Sequence, residues 1–225
     1  MSRGNSLLDH IVDLRPTIAH ELRLDHFRRD QPIDPAAALV FPAGGVIAMC
    51  TSSSTGHTAE LGLIGREGCF GMRDGAAASS PPLVEGRTAL AGSMWCLAPS
   101  VADDALANDR RLGSTLRLFA TKLQAGTGLQ VLCNLHHSLE QRVCRWLLTA
   151  GDRIGGESLE ITQQELADRL GVRRASVNVV ARDLQTAGAI RYVSGDLHMV
   201  DRDELVTRSC ECYTDLAARY RAIDT

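Results

Sequence analysis

The sequence predicts an α+β protein in three parts: a β-rich N-terminal region over 1–101, a long helix over 102–135, and a C-terminal region of short helices and a hairpin over 136–225. Three observations predict it. From about residue 31 to 100, short apolar runs alternate with Gly, Pro and Ser clusters, the texture of an antiparallel sandwich or barrel. From Ala102 to Thr149 the apolar residues recur every three or four positions, the helical period. Over 161–199, two short helical patterns meet at a glycine and run into two β-prone segments.

The bulk numbers set the class. The chain has 225 residues, 44% hydrophobic and 23% charged, ordinary values for a globular protein of one large or two small domains. No segment approaches the run of about 20 apolar residues that crosses a membrane. The first residues, Met-Ser-Arg-Gly-Asn-Ser, lack the apolar core of a secretory signal, so a cytoplasmic location and no membrane partner are expected. Seven cysteines, an odd number, lie between Cys50 and Cys212 and are expected as thiols. The net charge of −3 neither supports nor excludes nucleic-acid binding, which depends on local cationic clusters. Aromatic residues are only 4% of the chain, which weighs against recognition of single strands by base stacking.

In order along the chain, residues 1 to about 30 read as short helices, with Leu7, Leu8, Ile11, Val12 and Leu14 at helical spacing. Ala38–Phe41, Val46–Cys50, Ala59–Ile64 and Thr88–Leu97 read as strands, Arg73–Gly86 as a loop, and Gly65–Gly68 as a turn. In the long helix, Leu112, Leu116, Phe119 and Leu123 form an apolar row. The row suits a dimer seam; packing of the helix on its own domain is the alternative. A further helix is expected from Ser138 to Ala150, ending near Gly151.

Residues 161–191, ITQQELADRLGVRRASVNVVARDLQTAGAIR, carry the functional reading. Thr162 and Glu165 have the spacing of a capping box. Gly171 suits the left-handed backbone of a sharp turn, and a second helix starts at Arg173 or Arg174. Two short helices joined in this way make a helix-turn-helix. At 100° per residue, Val177, Val180, Ala181 and Leu184 share one stripe of the second helix, which must be buried. Ala175, Val179, Arg182 and Thr186 lie opposite, flanked by Ser176 and Asn178. Arg174 suits the O6 and N7 of guanine, Asn178 suits adenine or a phosphate, and Ala175 and Val179 suit thymine methyl groups. Small residues merely tolerated on a solvent face are the alternative for the last two. Ile190–Val193 and Leu197–Val200 then flank Ser-Gly-Asp, a hairpin signal with Gly195 at the turn. As a wing it would bring Arg191, Tyr192 and His198 to phosphates. Thr162, Gln163 and Arg173 complete the expected DNA-binding set. Asp201 is expected to cap a final helix containing Leu205.

The order of parts resembles the cyclic-AMP-receptor/fumarate-nitrate-regulator (Crp/Fnr) family over nearly the whole chain. The likeness rests on VFPAGGVIAMC (40–50), ELGLIGREGCFG (60–71), CNLHHSLEQRVCRWLL (133–148) and residues 159–190 with the hairpin. It resembles a branch ending in Cys-x-Cys-Tyr, here Cys210 to Tyr213. The resemblance implies an N-terminal β-roll of the cyclic-nucleotide-binding (jelly-roll) type, a dimerisation helix and a C-terminal winged helix. It implies a homodimeric transcription regulator that reads a double-stranded DNA operator in the major groove, with RNA polymerase as a further partner. A cyclic-nucleotide-type sensor with a protein-binding winged helix is the alternative.

Departures from the family pattern bear on cofactors. Gly71 is followed by Met72 where nucleotide binders carry Gly-Glu, and Arg87-Thr88-Ala89 falls too late in the domain to hold a nucleotide phosphate. No cysteine precedes Cys50, which argues against the family's N-terminal iron–sulfur cluster, and His57 stands alone in a polar loop as a haem ligand. No cyclic nucleotide, haem or iron–sulfur cofactor is therefore expected. Cys133, His136, His137, Cys144, Cys210 and Cys212 lack the paired two- to four-residue spacing of zinc sites at both ends and are not assigned as metal ligands. Nor does the sequence show a catalytic triad, a phosphate-cradling glycine loop or a metalloprotease motif, so no enzyme is expected.

Overall fold

The computed structural model describes residues 2–72, 84–193 and 196–221. The chain resolves into two compact units, residues 1–57 with 63–121 and residues 58–62 with 122–225.

The first unit opens with α1 (Ser6–Leu14) and a 3-10 turn (Pro16–His20). Asn5 is buried and caps α1 by accepting from the Leu8 N–H, while its amide donates to the carbonyls of Pro42 and Gly68 at 2.8 and 2.9 Å. Among the described residues seven strands follow: β1 (Arg23–Phe27), β2 (Pro32–Ile33), β3 (Leu39–Pro42), β4 (Val46–Ser52), β5 (Thr58–Ile64), β6 (Glu85–Leu90) and β7 (Gly92–Leu97). They form two sheets, in the orders β1-β7-β3 and β2-β6-β4-β5. β3 is buried throughout and β4 over its first five residues, so the sheets hold the core. The N-terminal antiparallel sheets expected from the alternating texture are present.

Three local expectations change. Residues 23–27 are a strand: Leu24 is half exposed but pairs with Trp95, and cross-strand pairing outweighs a weak helical pattern. The run Thr88–Leu97 is two strands broken at Ala91. Most of the expected Arg73–Gly86 loop lies outside the described residues, and Glu85 and Gly86 already belong to β6.

The helical stretch from 102 is likewise divided. α2 (Pro99–Asn108) and α3 (Arg110–His136) are separated at Asp109, whose backbone is extended at φ −137°.

The second unit is organised around α4 (Leu139–Ile154), capped by Ser138 in a capping box with Gln141. Residues 143–151 are all buried, including Trp146, Leu147 and Leu148, so this helix is core on every face. The helix does not stop at Gly151 as expected. It runs to Ile154 and ends at Gly155; at Gly151 a Cβ would come within 2.4 Å of the Met199 methyl, so the glycine serves close packing. Buried Glu60, from residues 58–62, accepts from the Trp146 indole N–H at 2.9 Å and faces Arg169 at 3.5 Å. Burial raises its pKa against the opposing pull of Arg169 and Trp146.

Around α4 lie β8 (Ser158–Leu159), α5 (Gln163–Leu170), α6 (Arg174–Thr186), β9 (Ile190–Val193), β10 (Asp196–Met199), α7 (Arg202–Arg208) and α8 (Glu211–Arg221). The strands form a three-stranded antiparallel sheet, β8-β10-β9. Asp201 caps α7 as expected, but α7 is not the last helix, since α8 follows it.

Candidate nucleic-acid interface

The N-terminus of α5 is closed by Thr162, which accepts from the Glu165 N–H, while Glu165 accepts from the Thr162 N–H at 2.8 Å. Its C-terminus ends at Gly171, at φ +66°. There only glycine avoids the Cβ strain of the left-handed region. Arg142 of α4 donates to the Leu170 carbonyl at 2.5 Å, placing a cation at the negative end of α5. Three residues after Gly171, α6 begins at Arg174. The chain therefore turns sharply with both ends of α5 satisfied.

α6 divides into two faces. Val177, Ala181 and Leu184 are buried and Val180 is half buried, the stripe expected from the sequence. Arg173, Arg174, Ala175, Ser176, Asn178, Val179 and Arg182 are all exposed. Val179 is 60% exposed, an unusual position for a β-branched apolar side chain on a helix. Arg173, the N-cap, makes no side-chain cap bond. Among the described residues, Arg173, Arg174 and Arg182 form no ion pair; the first two are exposed at the start of α6 and the third on the side opposite its buried stripe.

Thr162 and Gln163 are half buried beside the start of α6. With Gln164, Arg174 and Tyr192 they line a cleft of about 500 Å³. Gln164 was not among the residues expected from the sequence; its place at the first turn of α5 beside Thr162 and Gln163 is the signal that could have found it. The β9–β10 hairpin sets Tyr192 opposite Leu197 and Arg191 opposite His198. Arg191 is exposed and His198 half buried. Tyr192 is half buried; among the described residues its hydroxyl has no hydrogen-bond partner, and burial pushes the phenol up to about 12. The expected turn at Gly195 lies outside the described residues.

The positions expected at a dimer seam are divided. Leu112 and Phe119 are buried within one chain, Phe119 lying over Gly68 and Ile64. Leu116 lines a cleft of about 680 Å³ with Leu39, Met72, Pro99 and Leu106. Leu123 is half buried. The exposed apolar side chains of α3 are instead Leu118 (45%), Val131 (53%), Leu132 (43%) and Leu135 (73%).

Of the positions weighed for cofactors, Thr88 is fully buried and its hydroxyl donates to the Gln31 carbonyl, while Arg87 pairs with Asp30 at 3.5 Å. His57 is exposed. The cysteines behave otherwise than their spacing suggests. Cys133, His137, Cys210 and Cys212 come together, whereas Cys144 is buried on its own in the α4 core, its thiol raised by burial to about 12. His136 is exposed. The signal that could have found this gathering is the four-residue step from Cys133 to His137, one turn apart on a helix face.

A family model, the Crp-like helix-turn-helix domain, matches residues 141–208. No curated protein matches the chain in sequence. Among solved structures, FixK2 from Bradyrhizobium japonicum is 15% identical with a TM-score of 0.69, covering 84% of this chain and 98% of its own. A putative transcriptional regulator of the Crp/Fnr family from Eubacterium rectale is 16% identical at 0.66, covering 92% and 98%. TTHB099, a transcriptional regulator of the CRP family from Thermus thermophilus, is 21% identical at 0.61, covering 82% and 96%. At these identities the likeness is one of fold.

Proposed function

The chain carries a Crp-like helix-turn-helix domain within a Crp/Fnr-type fold, and from that premise we propose that it is a homodimeric transcription regulator that reads a DNA operator with α6 in the major groove. The observation that carries this reading is the division of α6. One stripe is spent in the core, the opposite face presents Ala175, Asn178, Val179 and Arg182 to solvent, and Arg173 and Arg174 are exposed at the start of the helix, with no ion pair to these three arginines among the described residues.

In this reading Arg174 donates in bidentate fashion to a guanine, and Ala175 and Val179 meet thymine methyl groups. Burying Val179 against a methyl would remove the cost of its exposure to water. Thr162, Gln163, Tyr192 and His198 position the domain on the phosphates. A phosphate in the cleft beside Arg174 would give the Tyr192 hydroxyl an acceptor. The open N-terminus of α6, where no side chain caps the first N–H groups, adds positive potential at the same point.

The dimer is proposed through α3. Leu118, Ala125 and Leu132 repeat every seven residues, and Thr121, Gly128 and Leu135 fall three further on, the a and d spacing of a paired helix seam. Gly128 has open space around it, and small residues at Thr121, Ala125 and Gly128 would let two helices approach closely. Two recognition helices carried in this way would meet half-sites about 34 Å apart.

The test is fluorescence anisotropy of the full-length protein on duplexes selected from random sequence, repeated over a salt series. Affinity is expected to fall linearly with the logarithm of salt, as bound counterions are released. Selection that enriches no sequence, or binding indifferent to salt, would refute the reading.

A further inference from the structure

We propose that Cys133, His137, Cys210 and Cys212 form a tetrahedral zinc site that fastens the C-terminal helix α8 to the end of α3. This rests on the second unit alone and does not depend on DNA binding.

Cys133 lies in the last turns of α3 and His137 one turn on, its N–H bonded to the Cys133 carbonyl at 3.1 Å. Cys210 and Cys212 flank the first residue of α8. The three cysteines are buried at 0, 3 and 1% exposure, with Leu129 packed against them. One ligand atom from each of the four residues can be chosen so that all lie within 4.8 Å of one another. The Cys133 and Cys210 sulfurs are 3.5 Å apart, and the Cys212 sulfur is 3.7 Å from His137 Nδ1. A tetrahedral ion bonded at about 2.3 Å to sulfur and about 2.0–2.1 Å to nitrogen holds its ligand atoms about 3.5–3.8 Å apart. Two edges of that tetrahedron are already in place. The compact set suits one ion rather than an iron–sulfur cluster, whose bridging sulfides spread the thiolates farther.

The surroundings are those of a metal-bound imidazole. His137 turns Nδ1 to the sulfurs, and its Nε2 lies 3.1 Å from the Glu211 carboxylate. A carboxylate on the outer nitrogen fixes the tautomer that leaves the inner one free to coordinate. Three thiolates, a neutral imidazole and Zn²⁺ carry a net charge of −1. Buried Arg145, whose Nε and one terminal nitrogen have no hydrogen-bond partner among the described residues, bears on Cys133 through its charge and balances the site. Soft thiolates with imidazole select zinc over hard cations. On binding, each thiol that coordinates passes its proton to solvent.

The mechanical consequence follows from the far end of α8. There Lys122 of α3 donates to the Tyr220 carbonyl at 3.2 Å, and the Arg153 guanidinium stacks 3.9 Å above the Tyr220 ring. A side chain at Gly126 would meet Leu216 at 3.4 Å, so the two helices lie close between these ends. The zinc site and the Tyr220 contacts clasp α8 along α3 at its two ends.

The experiment uses untagged full-length protein kept reduced, measured for zinc by mass spectrometry and, after metal removal, titrated with Co²⁺. One zinc per chain is expected, and Co²⁺ should give visible ligand-field bands of tetrahedral intensity with a thiolate-to-cobalt band in the near ultraviolet. Cys212→Ser and His137→Ala should lose the tetrahedral spectrum, whereas His136→Ala should keep it. Glu211→Gln, at an exposed position, should weaken zinc about 10–100-fold. A folded, reduced protein that binds neither metal at one equivalent would overturn the site, as would tetrahedral cobalt that survives Cys212→Ser.

Discussion

Leu135→Asp offers the sharpest test of the proposed dimer seam. Leu118, Leu132 and Leu135 are 45, 43 and 73% exposed, together a little over one and a half leucines of uncovered surface per chain. Complete burial of a leucine side chain is worth about 2 kcal/mol. The seam would then gain about 3 kcal/mol per chain and about 6 kcal/mol per dimer before the cost of association. Leu135 alone supplies about 1.5 kcal/mol per chain, so replacing it on both chains removes about 3 kcal/mol, a rise of roughly 100-fold or more in the dimer dissociation constant. Repulsion between two facing carboxylates adds to this. Sedimentation equilibrium across a concentration range measures the shift, and far-ultraviolet circular dichroism checks that the exposed substitution leaves the helices intact. An unchanged dissociation constant in Leu135→Asp and in Leu132→Asp would refute the seam. Phe119→Asp is expected to behave differently, unfolding the first unit, because Phe119 is core there.

Arg174→Ala should cost about 1–3 kcal/mol on the selected site and relax preference at one base pair; equal loss on selected and random duplexes would show that Arg174 reads no base. Gly171→Ala should lower stability by roughly 1–2 kcal/mol in urea unfolding, because alanine at φ +66° brings its Cβ against the following carbonyl; an unchanged midpoint would contradict the strained turn. Glu60→Gln should make stability less dependent on pH. Burial holds the Glu60 proton in the folded chain above the ordinary value of 4.5. The stability this confers is full below that value and is lost as pH rises through the folded pKa. The variant should therefore gain on the parent as pH rises from 4 to 7, and parallel unfolding curves would refute this.

Local rules made the helix-turn-helix legible. The Thr162–Glu165 box, Gly171, and the stripe of Val177, Ala181 and Leu184 are all set within a few residues, and the structure has each of them. The antiparallel texture of the first unit was legible for the same reason. What the sequence hid depended on distant partners. β1 forms because β7 lies beside it, and the two-residue β8 is a strand only because β10 pairs with it. The fate of Leu112 and Phe119 turned on which side of α3 the first unit covers, and helical spacing is the same for a seam and for a core stripe. The thiol and imidazole cluster joins residues more than seventy positions apart.

The two faces of α6 also bear on how binding preference can change. The buried side chains of this helix, Val177, Ala181 and Leu184, are distinct from those turned outward, and glycines at positive φ, Gly171 and Gly188, punctuate the backbone on either side. Residues 174, 175, 178, 179 and 182 can therefore be exchanged as an interchangeable set, with Val177, Ala181 and Leu184 left as the fixed mount. If α6 reads DNA as proposed, a library varied at those five sites should retain thermal stability while spreading across many target sequences, and this short segment could acquire new addresses without the rest of the molecule being rebuilt.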